Sequence, residues 1–294
     1  MRGVPEMIKY VGQPLPRLDG QERVTGKTPY TVNYELPGMF HAKVLRSPFP
    51  HARITHIDYS AAERLPGVKV ILTSKDFEKW GVDPHFGSLV KDQPILAMDR
   101  VRYVGEPVVA VAAISEEIAE NALDLIEVGY EELPAVLDPM ESLNEGSVLL
   151  HPDTRSRTAM GENRAIDLPP GSNIAGRFLL IKGDPASPWQ QCDVIVEGEY
   201  QCPPTTHAHL EPHAVLANVL PNGNIEVYSA TQTPSSVQKE LASLFQLPLS
   251  SVRVVAPPLG GGYGGKCYTK IEPIGVALSR KAKAPVRLIL SRTE

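Results

Sequence analysis

The sequence predicts an α+β protein built from two units, and three observations support this fold class. Short runs of β-type residues recur along the chain, separated by turn residues and by only a few helical segments. The 28 prolines favour short strands and many turns over long helices. Hydrophobic residues make up 42% of the 294 residues and charged residues 21%, which is a balance that allows a buried core.

The first predicted unit spans residues 20–135 and follows an irregular N-terminal arm at 1–19. A short helix is predicted near Ser60, and a longer helix starts at Ser115, whose hydroxyl can cap the first turn. The apolar stripe of the longer helix consists of Ile118, Ala122, Leu125 and Ile126. The predicted strands of this unit lie at 40–45, 52–57, 68–72 and 108–113.

The second predicted unit spans residues 186–294 and follows a connecting segment at 136–185. The stretch 152–178 is polar and interrupted by prolines, which is typical of an exposed connection. Asn222 and Gly223 form a hairpin turn signal within the unit. Its strands are predicted at 193–200, 214–219, 225–229, 251–256 and 286–290, and its helices at 235–245 and 272–281.

The composition disfavours several classes of protein. A formal net charge of -5 disfavours a general nucleic-acid binder, because such proteins present a concentrated cationic face. The cysteines show no paired spacing, so neither a disulfide framework nor an iron–sulfur site is expected, and Cys192 and Cys202 are predicted to be core residues. No stretch approaches the roughly 18 apolar residues of a membrane span, and no signal sequence is evident. We therefore expect a cytoplasmic protein without membrane contact.

Residues 260–266 (GGGYGGK) carry the strongest chemical signal, because dense glycines let backbone N–H groups approach a ligand. This segment, the glycine loop, follows one predicted strand and precedes a predicted helix. It fits the GxGxxG pattern of dinucleotide-binding proteins, although the complete βαβ unit with its acidic ribose residue is missing. It also fits the GxxxxGK pattern of phosphate loops, although Cys267 then stands where a Ser or Thr binds magnesium. A tight turn without a ligand is the third interpretation.

The glycine loop also resembles the GGGFGGK signature of the xanthine dehydrogenase and aldehyde oxidase family of molybdenum hydroxylases. Further segments that resemble the family occur in its order along nearly the whole chain. They are residues 17–20 with 24–26, 46–48 with 50–52, 102–108, 207–212 and 230–234. The resemblance implies an α/β hammerhead domain at 20–135, followed at 186–294 by the first part of a molybdopterin-binding α+β domain.

The resemblance implies a set of residues that bind the molybdenum-molybdopterin cofactor. In the family the glutamine that matches Gln232 hydrogen-bonds near the molybdenum oxo group, and an amide can donate there without adding charge. Backbone donors of Gly262, Tyr263 and Gly264 are candidates for the same role. The alternative for Gln232 is an amide that caps a turn. The complete implied set is Gln232, Gly261, Gly262, Tyr263, Gly264 and Gly265.

The resemblance implies that Tyr263 and Cys267 contact the substrate. Tyr263 replaces the commoner phenylalanine; its ring can flank a flat substrate, and the alternative is a packing aromatic. Cys267 stands where purine-hydroxylating relatives carry a substrate-binding glutamate, and a thiol cannot match the hydrogen bonds of a carboxylate. This substitution disfavours xanthine as the substrate. A small half-buried side chain is the main alternative for Cys267, and a metal ligand or nucleophile is another.

His207, His209 and His213 form the one histidine cluster of the chain. On an unbroken strand their even spacing would place all three on one face, as in a metal site. Pro212 interrupts such a strand before His213. We therefore expect no metal site, and we expect structural hydrogen bonds around Glu211, which is predicted to be buried and paired.

No catalytic residue is expected within residues 1–294. The family's general base is a glutamate near the C-terminus of a much longer chain, so the resemblance places it on a missing C-terminal half or on a complementary molybdopterin-binding chain. The [2Fe–2S] clusters and FAD are expected on partner subunits. The implied activity is hydroxylation of an aldehyde or an N-heteroaromatic carbon of a small molecule, with water as the oxygen source. The alternatives are a reductive relative similar to 4-hydroxybenzoyl-CoA reductase, or a split or truncated scaffold subunit that is inactive without a partner chain.

Overall fold

The computed structural model describes residues 12–87, 90–152, 171–174, 180–184 and 188–294. Most of the predicted N-terminal arm and most of the predicted exposed connection at 152–178 lie outside these residues. Among the described residues, no helix combines the length and the apolar character needed to cross a membrane.

The described residues form twelve strands and six α-helices in a mixed order. The strands are β1 (Phe40–Arg46), β2 (Ala52–Asp58), β3 (Val68–Leu72), β4 (His85–Phe86), β5 (Gln93–Pro94), β6 (Arg100–Val101), β7 (Pro107–Ala113), β8 (Glu127–Glu132), β9 (Ala214–Val219), β10 (Ile225–Ser229), β11 (Val252–Val255) and β12 (Val286–Ile289). The helices are α1 (Gly20–Val24), α2 (Ser60–Glu63), α3 (Ser74–Trp80), α4 (Glu116–Leu123), α5 (Pro234–Leu244) and α6 (Glu272–Ala282).

One seven-stranded sheet crosses the boundary between the two predicted units. Its strand order is β11-β10-β9-β12-β1-β7-β3, so β1, β7 and β3 of the first unit join β9 to β12 of the second. The joint is the parallel pair of β1 and β12, in which Phe40 lies opposite Val286. A three-stranded sheet, β6-β2-β8, and a two-stranded sheet, β4-β5, complete the strands of the first unit. The two units therefore share a framework that fixes their relative position.

The predicted elements with strong apolar patterns are confirmed. The run at 108–113 is the buried strand β7, whose residues from Val108 onward are all buried. The Ser115 hydroxyl accepts a hydrogen bond from the Ile118 amide at 3.2 Å, so it caps α4 as expected. Helix α4 ends at Leu123, however, and Leu125 is exposed rather than part of its apolar stripe.

The predicted strand at 193–200 is wrong. The structure assigns no strand to these residues, and Val194, Val196 and Tyr200 expose most of their surface. β-type side chains favour a strand only when a neighbouring strand supplies backbone hydrogen bonds, and none of the described strands pairs with this segment. For the same reason the cysteines on either side, Cys192 and Cys202, are exposed and not core residues as predicted.

Candidate functional site

The glycine loop lies between strand β11 and helix α6. Several of its residues adopt backbone angles that L-amino acids with a side chain rarely adopt: φ is +107° at Gly261, +50° at Tyr263 and +96° at Gly264. Glycine adopts such angles without a steric cost, whereas Tyr263 carries the strain of a left-handed conformation. The loop therefore has a specific, irregular shape that its glycines make possible.

Gln232 lies in the short connection between β10 and α5, and it supports the glycine loop. Its side-chain oxygen Oε1 accepts hydrogen bonds from the amides of Gly264 at 3.0 Å and Lys266 at 3.3 Å. Its own backbone amide donates to the carbonyl of Lys266 at 2.9 Å. The amide side chain thus caps the loop through its oxygen, while its nitrogen Nε2 has no acceptor among the described residues.

Gly262 is the point of closest approach between the loop and Gln232. A Cβ atom at this position would collide with the Gln232 side chain. Gly265 is similarly covered by the ring of His207, whose Cγ would lie 3.0 Å from an added Cβ. A side chain at position 262 would therefore displace the Gln232 side chain, and one at position 265 would press on the His207 ring.

The structure divides the predicted backbone donors of the loop into two groups. The N–H of Gly264 is already bound to Gln232, so it is not the free donor to a ligand that the resemblance implies. The N–H groups of Gly261, Gly262 and Tyr263 have no acceptor in the part of the chain that the structure describes. Together with Nε2 of Gln232, these three N–H groups form a set that consists only of unpaired hydrogen-bond donors.

Tyr263, which is itself one of these donors, and Cys267 are the predicted substrate contacts. Tyr263 is 75% exposed, so it does not pack into the core that the described residues form. Cys267 is half-buried, and its backbone carbonyl accepts a hydrogen bond from the Thr233 hydroxyl at 2.7 Å. This bond ties the C-terminal end of the loop to the segment that carries Gln232.

Lys266 and Glu211 form a buried ion pair that the sequence did not reveal. The ammonium Nζ of Lys266 lies 2.8 Å from Oε2 of Glu211, and the two side chains are 0% and 7% exposed. Glu211 is thus buried and paired as predicted, but its partner is Lys266 rather than a histidine. A lysine that binds nucleotide phosphates must reach its ligand, so these contacts argue against the phosphate-loop interpretation.

The three histidines do not form one cluster of ligands, and no group of metal-binding side chains is found among the described residues. Ala208 has a φ of +45°, so the histidines do not share a regular strand. The rings of His209 and His213 meet edge to face with centroids 5.1 Å apart. Burial, with the nearby charge of Lys270, lowers the pKa of His213 to about 3, which keeps its ring neutral.

A cavity of about 790 Å³ adjoins the glycine loop on the side of His207 and Gly265. Both predicted units contribute to its wall, which contains Arg46, Lys270 and Arg292. Glu294 is the one carboxylate among the described residues that line it, and it is paired with Arg46 at 2.9 Å. Gln232 and Tyr263 are not among these lining residues, so the cavity is a neighbour of the candidate site.

Two family models match consecutive parts of the chain, one in each predicted unit. A model described as "Aldehyde oxidase and xanthine dehydrogenase, a/b hammerhead domain" matches residues 25–134. A model described as "Molybdopterin cofactor-binding domain" matches residues 169–294 and includes the glycine loop and Gln232.

Similar proteins agree with these matches. The chain is 36% identical over 95% of its length to a probable xanthine dehydrogenase subunit of Bacillus subtilis, of which it covers 34%. It is 32% identical over 97% of its length to the nicotinate dehydrogenase large molybdopterin subunit of Eubacterium barkeri, of which it covers 62%. The crystal structure of quinoline 2-oxidoreductase from Pseudomonas putida 86 is 31% identical and superposes with a TM-score of 0.76, over 94% of this chain and 34% of the other. The chain therefore spans about a third to three fifths of the length of these relatives, and it belongs to the xanthine dehydrogenase and aldehyde oxidase family of molybdopterin-dependent oxidoreductases.

Proposed function

We propose that this chain is the part of a molybdenum hydroxylase that presents a wall of hydrogen-bond donors to the molybdenum-molybdopterin cofactor. One observation carries the proposal: Nε2 of Gln232 and the amides of Gly261, Gly262 and Tyr263 are unpaired donors on adjoining residues. Oxygen-rich, anionic groups are the natural partners of such a set. The carboxylate of Glu211, which also contacts the loop, does not oppose an anion because Lys266 neutralises it.

The residues of this chain fit the cofactor in composition as well as in charge. Gln232, Gly261, Gly262 and Tyr263 would hold its oxygen atoms by donating hydrogen bonds, while Gly264 and Gly265 let the backbone pass close to Gln232 and His207. When bound, the cofactor supplies two-electron redox chemistry. The chain's own contribution is to orient that group and to stabilise negative charge with donors that are fixed in advance.

We further propose that the substrate is an N-heteroaromatic compound, hydroxylated with water as the oxygen source. The names of three relatives support this class, because xanthine, nicotinate and quinoline are all nitrogen heteroaromatics. The exposed ring of Tyr263 can stack on a flat substrate, and its hydroxyl adds a polar contact. Cys267 cannot supply the hydrogen bonds of a carboxylate, so a substrate less polar than xanthine is favoured.

We propose that further protein completes the active site. The names of the Bacillus subtilis and Eubacterium barkeri relatives both describe subunits, and the chain covers only part of each. A C-terminal half or a complementary molybdopterin-binding chain would supply the general base and the remaining cofactor contacts. Iron–sulfur and FAD subunits would accept the electrons. We also propose a cytoplasmic location, because the three cysteines show no paired spacing in the sequence.

Metal analysis of the purified assembly tests this function. We expect molybdenum in proportion to this chain, and hydroxylation of a nitrogen heteroaromatic that incorporates oxygen from labelled water. The chain alone should hold no molybdenum and turn over no substrate, and both should appear when the completing protein is added. An assembly that is active without molybdenum would rule the proposal out.

A further inference from the structure

We infer that Glu211 is a positioning residue that holds both ends of the glycine loop and thereby sets the orientation of Gln232. This inference rests on the proposed function for its consequence, although its structural part does not depend on the cofactor. Glu211 lies outside the loop, on the histidine-containing segment, between His209 and His213. Its single carboxylate reaches the first and the last residue of the loop.

The contacts of Glu211 are made at one oxygen atom. Oε2 accepts a hydrogen bond from the amide of Gly260 at 2.9 Å and another from Nζ of Lys266 at 2.8 Å. In addition, the backbone amide of Glu211 donates to the carbonyl of Gly260 at 3.2 Å. The beginning and the end of the loop are therefore joined through one carboxylate.

The loop needs such a constraint because of its composition. Five of its seven residues, from Gly260 to Lys266, are glycines, which lose more conformational freedom on folding than any other residue. Nζ of Lys266 has no other partner among the described residues, and its side chain is fully buried. Removal of Glu211 would leave a buried charge unpaired, so Lys266 would have to leave its place to reach water.

Lys266 connects Glu211 to Gln232, because its side chain binds Glu211 and its backbone binds Gln232. Its amide donates to Oε1 of Gln232 at 3.3 Å, and its carbonyl accepts the backbone amide of Gln232 at 2.9 Å. The Thr231 hydroxyl also donates to that carbonyl, at 3.3 Å. If Lys266 moves, Oε1 loses one of its two donors, and Nε2 is no longer held in a fixed direction.

The second oxygen of Glu211, Oε1, is buried and has no partner among the described residues. A glutamine at this position can therefore direct its amide oxygen toward Gly260 and Lys266. Its NH2 group then takes the place of Oε1, where it displaces no hydrogen-bond donor. E211Q removes the charge but retains the shape, whereas E211A removes both. This difference gives the inference a graded test.

Limited trypsin digestion of the chain measures whether Lys266 is held. In the native chain the bond after Lys266 should resist cleavage, because the side chain is fully buried. We expect E211A to raise the rate of cleavage there by about tenfold or more, which is the effect of losing one charge-assisted hydrogen bond from a local opening equilibrium. E211Q should fall between E211A and the native chain. E240A is the matched control: Glu240 is also buried and accepts a backbone amide, that of Gly87 at 2.7 Å, but it does not contact the loop.

Equal cleavage after Lys266 in E211A and E240A would overturn the inference, because Glu211 would then be no more than another stabilising residue. If E211A fails to fold, the double variant E211A/K266M avoids the unpaired charge, and hydrogen exchange replaces digestion. The amide of Gly260, which loses its acceptor on Glu211, should then exchange about tenfold faster than in the native chain. Native exchange at Gly260 in a folded double variant would also overturn it.

The assembled enzyme separates this inference from the proposed function. E211Q should lower kcat while KM stays near the native value, because the donors are displaced but the substrate surface is kept. If the loop opens as expected in the variants but the assembly never binds molybdenum, the proposed function is refuted and the positioning role of Glu211 is not. A molybdenum-loaded assembly in which E211Q has native kcat and native cleavage after Lys266 would refute the positioning role alone.

Discussion

Oε1 of Gln232 lies 3.0 Å from the amide nitrogen of Gly264, across 32 positions of the sequence. The contact gives the side-chain amide of Gln232 two functions at once. Its oxygen caps the glycine loop, and its nitrogen is left as a donor for another group. The two interpretations of Gln232, a cap and a cofactor contact, are therefore compatible, because each uses a different atom.

Replacement of Gln232 by alanine separates these two functions. We expect Gln232→Ala to lower the free energy of unfolding by about 1 kcal/mol, because two loop amides lose their acceptor. In the assembled enzyme, kcat should fall by about 100-fold, as when one fixed donor to developing negative charge is removed. Steady-state kinetics of the molybdenum-loaded enzyme provide the measurement.

Gln238→Ala is the control for this substitution. Nε2 of Gln238 donates to the carbonyl of Val252 at 2.7 Å, so its loss also removes a structural hydrogen bond, but Gln238 lies away from the loop. We expect a similar loss of stability and a native kcat. Unchanged kinetics in Gln232→Ala would remove Gln232 from the site.

A methyl group at position 262 should destabilise the fold through one contact. The Cβ of Gly262→Ala would collide with the side chain of Gln232, and such overpacking costs about 1–3 kcal/mol. In the Gln232→Ala background the obstacle is absent, so the same substitution should cost much less. Urea unfolding of the two single variants and the double variant measures this coupling. Additive effects would show that the two residues do not touch in solution.

The three cysteines should differ in their reaction with a thiol reagent under native conditions. Cys192 and Cys202 are exposed, whereas Cys267 is half-buried beside the glycine loop. We therefore expect two fast equivalents of labelling and one slow equivalent, with all three equal in urea. Mass spectrometry of the labelled peptides identifies each site. Fast reaction of Cys267 together with slow reaction of Cys192 would contradict the structure.

The sequence predicted secondary-structure elements well where the pattern of apolar residues alone determines the element. Strand β7 is a continuous apolar run and helix α5 carries a stripe with the helical period, so burial alone fixes both. The segment 193–200 has the same kind of β-type residues but finds no partner strand among those described, and strand formation depends on a partner. Its prediction failed because pairing is not a local property.

The candidate site could likewise be predicted only in part from the sequence. The family resemblance alone assigned Gln232 and the glycine loop to one site, and their contact agrees with that assignment. The loop's dependence on Glu211 was not predicted, because the Lys266–Glu211 pair joins residues 55 positions apart. A glutamate in a histidine-rich segment and a lysine in a glycine run give no signal that they meet. A buried lysine partner becomes evident only when the path of the backbone is known.

His213 should make the stability of the fold depend on pH. Burial lowers the pKa of His213 from 6.5 to about 3, and the charges of Lys270 and Lys266 act in the same direction. Between these two values the unfolded chain binds a proton at this ring that the folded chain does not. The contribution is therefore fully present above about pH 6.5 and is lost progressively as the pH falls toward 3.

Replacement of His213 by glutamine removes this proton and should flatten that part of the pH dependence. We expect the free energy of urea unfolding to fall less between about pH 7.5 and about pH 5 in His213→Gln than in the native chain, at moderate ionic strength where distant charges are screened. His56→Gln, at an exposed ring, serves as the control and should keep the native slope. If His213→Gln and the native chain lose stability in parallel on acidification, the ring is accessible to protons in the folded state. The edge-to-face packing of His209 on His213 would then not exclude water, and the wall beside Gly265 would have to be open.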